Sequence, residues 1–280
     1  MREVSIKDVK SIIIKSFKEM AFSYTDDVNK VFLQAYKREA GVAKEVFELM
    51  QENIDIAKKE HLPLCQDTGV AIIFLTIGQE VKFIDGDLSG AINEAIASAY
   101  KEGFLRYSMV DDPVFDRTNT SNNTPGMVHY EIVAGDEVII EMMAKGCGSE
   151  NVSKVAMLTP AVGVAGIKKF VIDCVKGAGP NACPPMFVGI GIGGTMDVAA
   201  TLAKKALFRD ADAVSTDERY AKLEQEILTE INNTNIGPAG LKGNTTAFSV
   251  AINHAATHIA SLPVAVNICC HANRKRRVVL

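Results

Sequence analysis

No apolar run in this chain approaches the ~20 residues that a membrane-spanning helix needs. The opening residues, Met1-Arg2-Glu3-Val4-Ser5, lack the apolar core of a secretory signal. Both absences point to a cytoplasmic protein with no membrane partner. A basic field is missing as well. The net charge is −4, which argues against nucleic acid or an anionic membrane as a partner. The one basic cluster, Arg274-Lys275-Arg276-Arg277, reads as a solvated or partner-facing tail. There is no fixed repeat period and no linker that would split the chain. The expectation is therefore a single domain over residues 1–280. With 48% hydrophobic and 23% charged residues, the composition can bury a large core.

The N-terminal part reads as mainly helical. Val9, Ile12, Ile13, Phe17 and Met20 recur at helical spacing, and similar stripes start at Val28 and Val42. His61-Leu62-Pro63 stops the third helix, because the residue before proline resists helical angles. Beyond it, strands and helices interleave. The spacing predicts strands at Val70–Ile77, Met186–Ile192 and Pro263–Ile268. It predicts helices from about Ser89 to Gly103, over Val198–Leu207 and over Asp217–Asn232. Val128–Val133 and Glu137–Met143 read as a hairpin around Gly135-Asp136. The fold class is α/β, with mixed sheet or sheets flanked by helices.

Six cysteines lie at positions 65, 147, 174, 183, 269 and 270. In a reducing compartment such residues are metal ligands, catalytic groups or small buried hydrophobes rather than disulfides. Cys65, Cys183 and Cys269/Cys270 each adjoin a buried-type strand and a turn, a placement that suits a thiolate-held cluster. Their spacing alone is equally compatible with structural cysteines. Cys174 falls in an apolar helical pattern and reads as core. Cys147, between two glycines, reads as a small loop residue or a reactive thiol. Asp67 is placed either for acid–base work or for an Asx-turn with Thr68-Gly69. Arg106 stands where a C-terminal helix charge is ordinary. His254 and His258 would share a face if their segment is helical. The polar loop Asp111–Gly126 is long enough to suggest a function. Gly189, Gly191 and Gly194 spell G-x-G-x-x-G, but the first two fall inside the strand, where close backbone approach explains them better.

Five motifs in order resemble one family. They are Leu64-Cys65-Gln66-Asp67-Thr68-Gly69, Lys145-Gly146-Cys147-Gly148-Ser149-Glu150-Asn151, Asn181-Ala182-Cys183-Pro184-Pro185, Gly237-Pro238-Ala239-Gly240-Leu241-Lys242-Gly243-Asn244-Thr245 and Asn267-Ile268-Cys269-Cys270-His271-Ala272. Together they look like the class I, iron–sulfur-dependent fumarate hydratases, and more closely the α subunit of the two-subunit form. The resemblance implies a 4Fe–4S cluster held by Cys65, Cys183 and Cys270, with one iron open. Cys270 rather than Cys269 holds the place before His271. It implies substrate contacts at Gln66, Arg106 and Gly148, and proton handling by Asp67 and His258. Where the family commonly has a small residue, this chain has Cys147. A small dicarboxylate substrate is implied, fumarate or L-malate, with L-tartrate the substrate of the sibling dehydratase. Further arginines, a lysine and a threonine thought to act as base belong to the family's C-terminal part. They are implied to come from a β subunit, in an α2β2 assembly.

Overall fold

The structure is a computed structural model describing residues Met1–Leu280. In chain order the elements are β1 (Arg2–Ser5), α1 (Ile6–Phe22), α2 (Asp26–Tyr36), α3 (Gly41–Glu60), β2 (Val70–Gly78), β3 (Val81–Ile84), α4 (Leu88–Glu102), β4 (Met127–Val133), β5 (Val138–Lys145), α5 (Cys147–Glu150), β6 (Lys154–Leu158), α6 (Gly163–Ala178), β7 (Met186–Gly194), α7 (Met196–Ala206), α8 (Glu218–Asn232), β8 (Ala247–Thr257), β9 (Leu262–Cys269) and β10 (Arg274–Val279). This is the expected α/β class, with mixed sheets, flanking helices and a mainly helical N-terminal part. No helix is long and apolar enough to cross a membrane. The chain packs as two compact units. One holds Met1–Thr25, Asn53–Cys147 and Arg274–Leu280, and the other Asp26–Glu52 and Gly148–Asn273.

The first unit is built on a four-stranded sheet of order β10-β5-β2-β4. Its centre is β2, an apolar strand with side chains buried on both faces. Helices α1 and α4 cover one face, through Val9, Ile13, Phe17, Ile92, Ile96 and Tyr100 against Ile73, Leu75, Ile140 and Met142. Capping chemistry sets where these helices start. The side chain of Ser5 accepts from the Lys7 amide, and that of Asp87 from the Gly90 amide.

Two expectations are corrected here. β4 and β5 do not pair as a hairpin, because β2 lies between them, parallel to β4 and antiparallel to β5. A strand apolar on both faces needs two neighbours, whereas the half-exposed β4 suits an edge. Nor is the basic cluster a solvated tail. It opens β10, paired with β5 from Arg274 opposite Ala144 to Val279 opposite Ile139. Arg274 and Lys275 are buried there.

The second unit has a sheet of order β6-β9-β7-β8. Helices α6 and α8 pack on it through Ile167, Val171, Val175, Leu223, Ile227 and Ile231, against Val188, Ile190, Val250, Ile252, Val264 and Val266. Cys174 lies in this core, as expected, and burial pushes its thiol up to about 11. Helix α7 lies against the glycines of β7. A Cβ on Gly189 would stand 2.1 Å from Ala203 O, and one on Gly191 2.0 Å from Ala199 O. These glycines serve close helix–sheet packing, not a dinucleotide. The segment carrying His254 is strand β8 rather than helix, so His254 and His258 share no helix face. His254 instead stacks on Tyr220 at 4.2 Å.

Gly191→Ala is expected to destabilise the protein by about 1–3 kcal/mol or more, through overpacking against α7. Urea unfolding checks this; an unchanged midpoint would contradict the close approach.

Candidate functional site

The Leu64–Gly69 stretch is a loop between α3 and β2, pinned along its length. The Leu64 amide donates to Ala21 O at 2.9 Å, and Asn53 Nδ2 donates to Leu64 O at 3.0 Å. Three consecutive carbonyls then meet side-chain donors. Arg274 Nη1 donates to Asp67 O at 2.7 Å. The Tyr100 hydroxyl lies 3.2 Å from Thr68 O and 2.8 Å from Gly69 O. Asn123 Nδ2 donates to Gly69 O at 3.1 Å. At Gly69, φ is +86°, and a Cβ would stand 2.7 Å from the Ala144 carbonyl carbon, so only glycine fits.

The pinned loop fixes Asp67. Its Oδ1 accepts from the Gly69 amide at 3.0 Å, which is the Asx-turn. Its Oδ2 accepts from the Cys147 amide at 2.7 Å. The carboxylate therefore has a single orientation between the Cys65 loop and the glycine-flanked turn. Thr68 Oγ1 donates to Arg106 O at 2.8 Å, tying Arg106 to the same loop. The Arg106 side chain is exposed, as is Gln66, while Cys65 is half-buried. Burial holds the Tyr100 phenol far above its ordinary value. Asp67 and Cys147 push the same way, and Arg274 opposes them. Tyr100 thus remains a hydroxyl donor at all ordinary pH values.

In the second unit, the turn before β7 and the turn after β9, which carry Cys183 and Cys270, are joined through the backbone. Cys183 is exposed, in the left-handed region at φ 50°, ψ 63°, with its amide donating to Pro180 O. The His271 amide donates to Cys183 O at 3.2 Å, which sets Cys270 beside it. Gly148 joins this group, since a Cβ there would lie 3.6 Å from Asn181 O. Cys269 is different: it sits within β9 opposite Phe187, 1% exposed, with its thiol 3.8 Å from Asn273 Oδ1. Cys270 lies just past the end of β9, with its thiol 3.9 Å from Ala272 O, so the two cysteines have different surroundings.

His258 is not among these groups. Gly194 is registered with Thr257 at one end of the sheet, and Phe187 with Cys269 at the other. At ~3.3 Å per residue, this sets His258 roughly 25 Å from Cys270 of its own chain. It is exposed in the β8–β9 turn, where its Nδ1 accepts from the Ala260 amide at 3.2 Å.

Sequence reasoning missed Tyr100, Asn123 and Arg274. Asn123 carried a signal, the length of its polar loop. Tyr100 directly follows the apolar stripe of α4. Arg274 was hidden in what looked like a charge run.

Comparison with known proteins agrees on one family. Residues 10–279 match the family model described as Fumarate hydratase (Fumerase). Over 272 residues the chain is 39% identical to a Methanocaldococcus jannaschii protein provisionally named L(+)-tartrate dehydratase subunit alpha, covering 95% of each chain. Over 236 residues it is 34% identical to the L(+)-tartrate dehydratase subunit alpha of Escherichia coli (strain K12) and of Shigella sonnei (strain Ss046), covering 82% of this chain and 75% of theirs. The chain belongs to the fumarate hydratase family.

Tyr100→Phe removes the hydroxyl and keeps the ring beside Phe17. The expected cost is about 1–3 kcal/mol, because Thr68 O is left without its donor and Gly69 O keeps only Asn123. Because folding raises the Tyr100 pKa, its contribution is whole below about pH 10 and falls as pH rises further. Denaturation at pH 7 and above 10 checks both. A Phe variant equal to wild type at pH 7 would contradict the clamp.

Proposed function

We propose that the chain, as one hydro-lyase α domain over residues 1–280, is the cluster-bearing subunit of a cytoplasmic fumarate hydratase. Its reaction is the reversible hydration of fumarate to L-malate, in an α2β2 assembly with a β subunit. The observation that carries this reading is the Asp67 carboxylate, fixed by two amides in the loop that also carries Cys65 and Gln66 and holds Arg106. The relatives' names, with their "subunit alpha", support the class and the β partner.

The donor set fits a cluster in its chemistry. Cys65, Cys183 and Cys270 form no disulfide, each lies at a turn beside a strand end, and iron–sulfur clusters take thiolates. No three His, Cys, Asp or Glu side chains stand together as a site for one metal ion. Cluster ligands bind different irons, so they do not have to converge on a point. When bound, a 4Fe–4S cluster with an open iron supplies Lewis-acid activation of the leaving hydroxyl.

The chain's own residues do the rest. Arg106 presents an exposed guanidinium, with no ion pair, to one substrate carboxylate; its planar fork suits that partner. Gln66 offers a neutral amide on the same loop, and Gly148 leaves room for the substrate. Asp67 exchanges a proton at a carboxylate whose orientation is set before substrate arrives. The base that removes the carbon-bound proton belongs to the β subunit. His258, remote from Cys270 in its own chain, relays protons in a site that a second α copy completes.

The names of the relatives favour a second reading, L-tartrate as substrate. Steady-state kinetics of the α/β pair decide between the two. The proposal expects the higher kcat/KM with malate and fumarate, and preference for L-tartrate would overturn it.

Asp67→Asn is expected to lower kcat by about 10²–10⁴ while the α/β pair still assembles. Asn keeps an acceptor for one of the two amides and loses the charge, and an unchanged rate would remove Asp67 from the chemistry. His258→Asn and Cys270→Ser α chains should each be inactive alone. Mixed, they should recover activity, because one of the two sites in a mixed pair is intact, about half of wild type per mixed assembly. Absence of recovery in demonstrated mixed assemblies would contradict a trans role for His258.

A further inference from the structure

Arg274 is the largest fully buried side chain of the protein, 1% exposed. One of its nitrogens, Nη1, holds Asp67 O, but Nε and Nη2 have no hydrogen-bond partner. Its guanidinium makes no ion pair. Two more cations are buried close by: Lys145 follows Ala144, the register partner of Arg274, and Lys275 lies opposite Met143. Lys145 Nζ donates to Gly146 O at 3.3 Å. A buried guanidinium with unmet N–H groups is strongly destabilising unless an anion answers it.

Asp67, whose carboxylate oxygens accept from the amides of Gly69 and Cys147, forms no ion pair with it. Between them is a space without a side chain. A Cβ on Gly146 would stand 3.4 Å from Asp67 Oδ2 and 3.5 Å from Arg274 Nη2. The Arg274 guanidinium therefore stands buried, with two nitrogens unmet, directly behind the loop that begins with Cys65.

We infer that Arg274 is a positioning residue for an anion carried by the Cys65–Gly69 loop, namely the thiolate-held cluster. This rests on the cluster reading above. Three thiolates on a 4Fe–4S core leave a net negative charge, and hydrogen bonds and nearby charges tune such clusters. Arg274 then has two tasks. It holds the Asp67 carbonyl, and it offsets the negative charge that loading brings to the loop. A dicarboxylate substrate is also anionic, so the test separates the two sources by loading the protein without it.

The test uses the α/β complex, stripped anaerobically and reconstituted with ferrous iron and sulfide in the absence of any dicarboxylate. Wild type is compared with Arg274→Gln and Arg274→Lys. Gln can still donate to Asp67 O but carries no charge; Lys keeps the charge. Arg274→Gln is expected to lose iron to a chelator about tenfold faster than wild type. Its rise in melting temperature on loading should be at most half that of wild type. Arg274→Lys should stay nearer to wild type in both readouts. The rise on loading is a difference within each variant, so a general loss of stability does not imitate the result. Equal iron loss and equal rises in all three proteins would overturn the inference while leaving the cluster reading intact. Equal loading with a change only in malate affinity would reassign the anion to the substrate and also overturn it. Wild type that takes up no iron would remove the cluster reading, and the inference with it.

Discussion

Three consecutive backbone carbonyls, those of Asp67, Thr68 and Gly69, each accept from a donor on a different element. Arg274 reaches in from the edge strand β10, Tyr100 from α4, and Asn123 from the long polar loop. A loop held this way has lost the freedom loops ordinarily keep. The ordering cost is met at folding, so the orientation of the Asp67 carboxylate is set in advance. The apolar sandwich of α1 and α4 on the sheet is what makes the clamp possible. It buries Tyr100 deeply enough that its hydroxyl is best satisfied by those carbonyls.

The second unit solves a related problem differently. The positions of Cys183 and Cys270 are set by strand ends, not by side-chain donors. The antiparallel register of β7 and β9 brings Cys183 and Cys270 to one end of the sheet, and the His271 amide joins their turns. Close packing of α7 on the glycines of β7 keeps that sheet thin and its register fixed. The same register sends the β8–β9 turn, with His258, to the opposite end. Topology thus separates, within one chain, two residues that the resemblance groups together.

Much of this was legible in the sequence. The apolar stripes of α1, α2 and α3 gave their helices, because a 3.6-residue period is a local signal. The strand runs around β2, β7 and β9 were equally local. The Asx-turn of Asp67 was open to residue type, and the glycines of β7 showed close packing by lying inside a strand. Pairing was not legible. β4 and β5 are separated by a turn that suits a hairpin, and only the need of β2 for two neighbours decides otherwise. Arg274 looked like a solvated charge because burial of a cation depends on what the fold sets around it. His258 is placed in the site by the resemblance, and its distance from Cys270 in the same chain is not legible because order along the chain carries no distance.

The central claim is that Cys65, Cys183 and Cys270 hold an iron–sulfur cluster. It is tested most directly by iron and labile-sulfide content in the anaerobically purified α/β complex. Wild type and Cys269→Ser are predicted to carry about four irons per α chain. Cys183→Ser and Cys270→Ser are predicted to lose most of the iron while remaining folded. Iron content unchanged in Cys183→Ser, or lost in Cys269→Ser and kept in Cys270→Ser, would contradict the assignment.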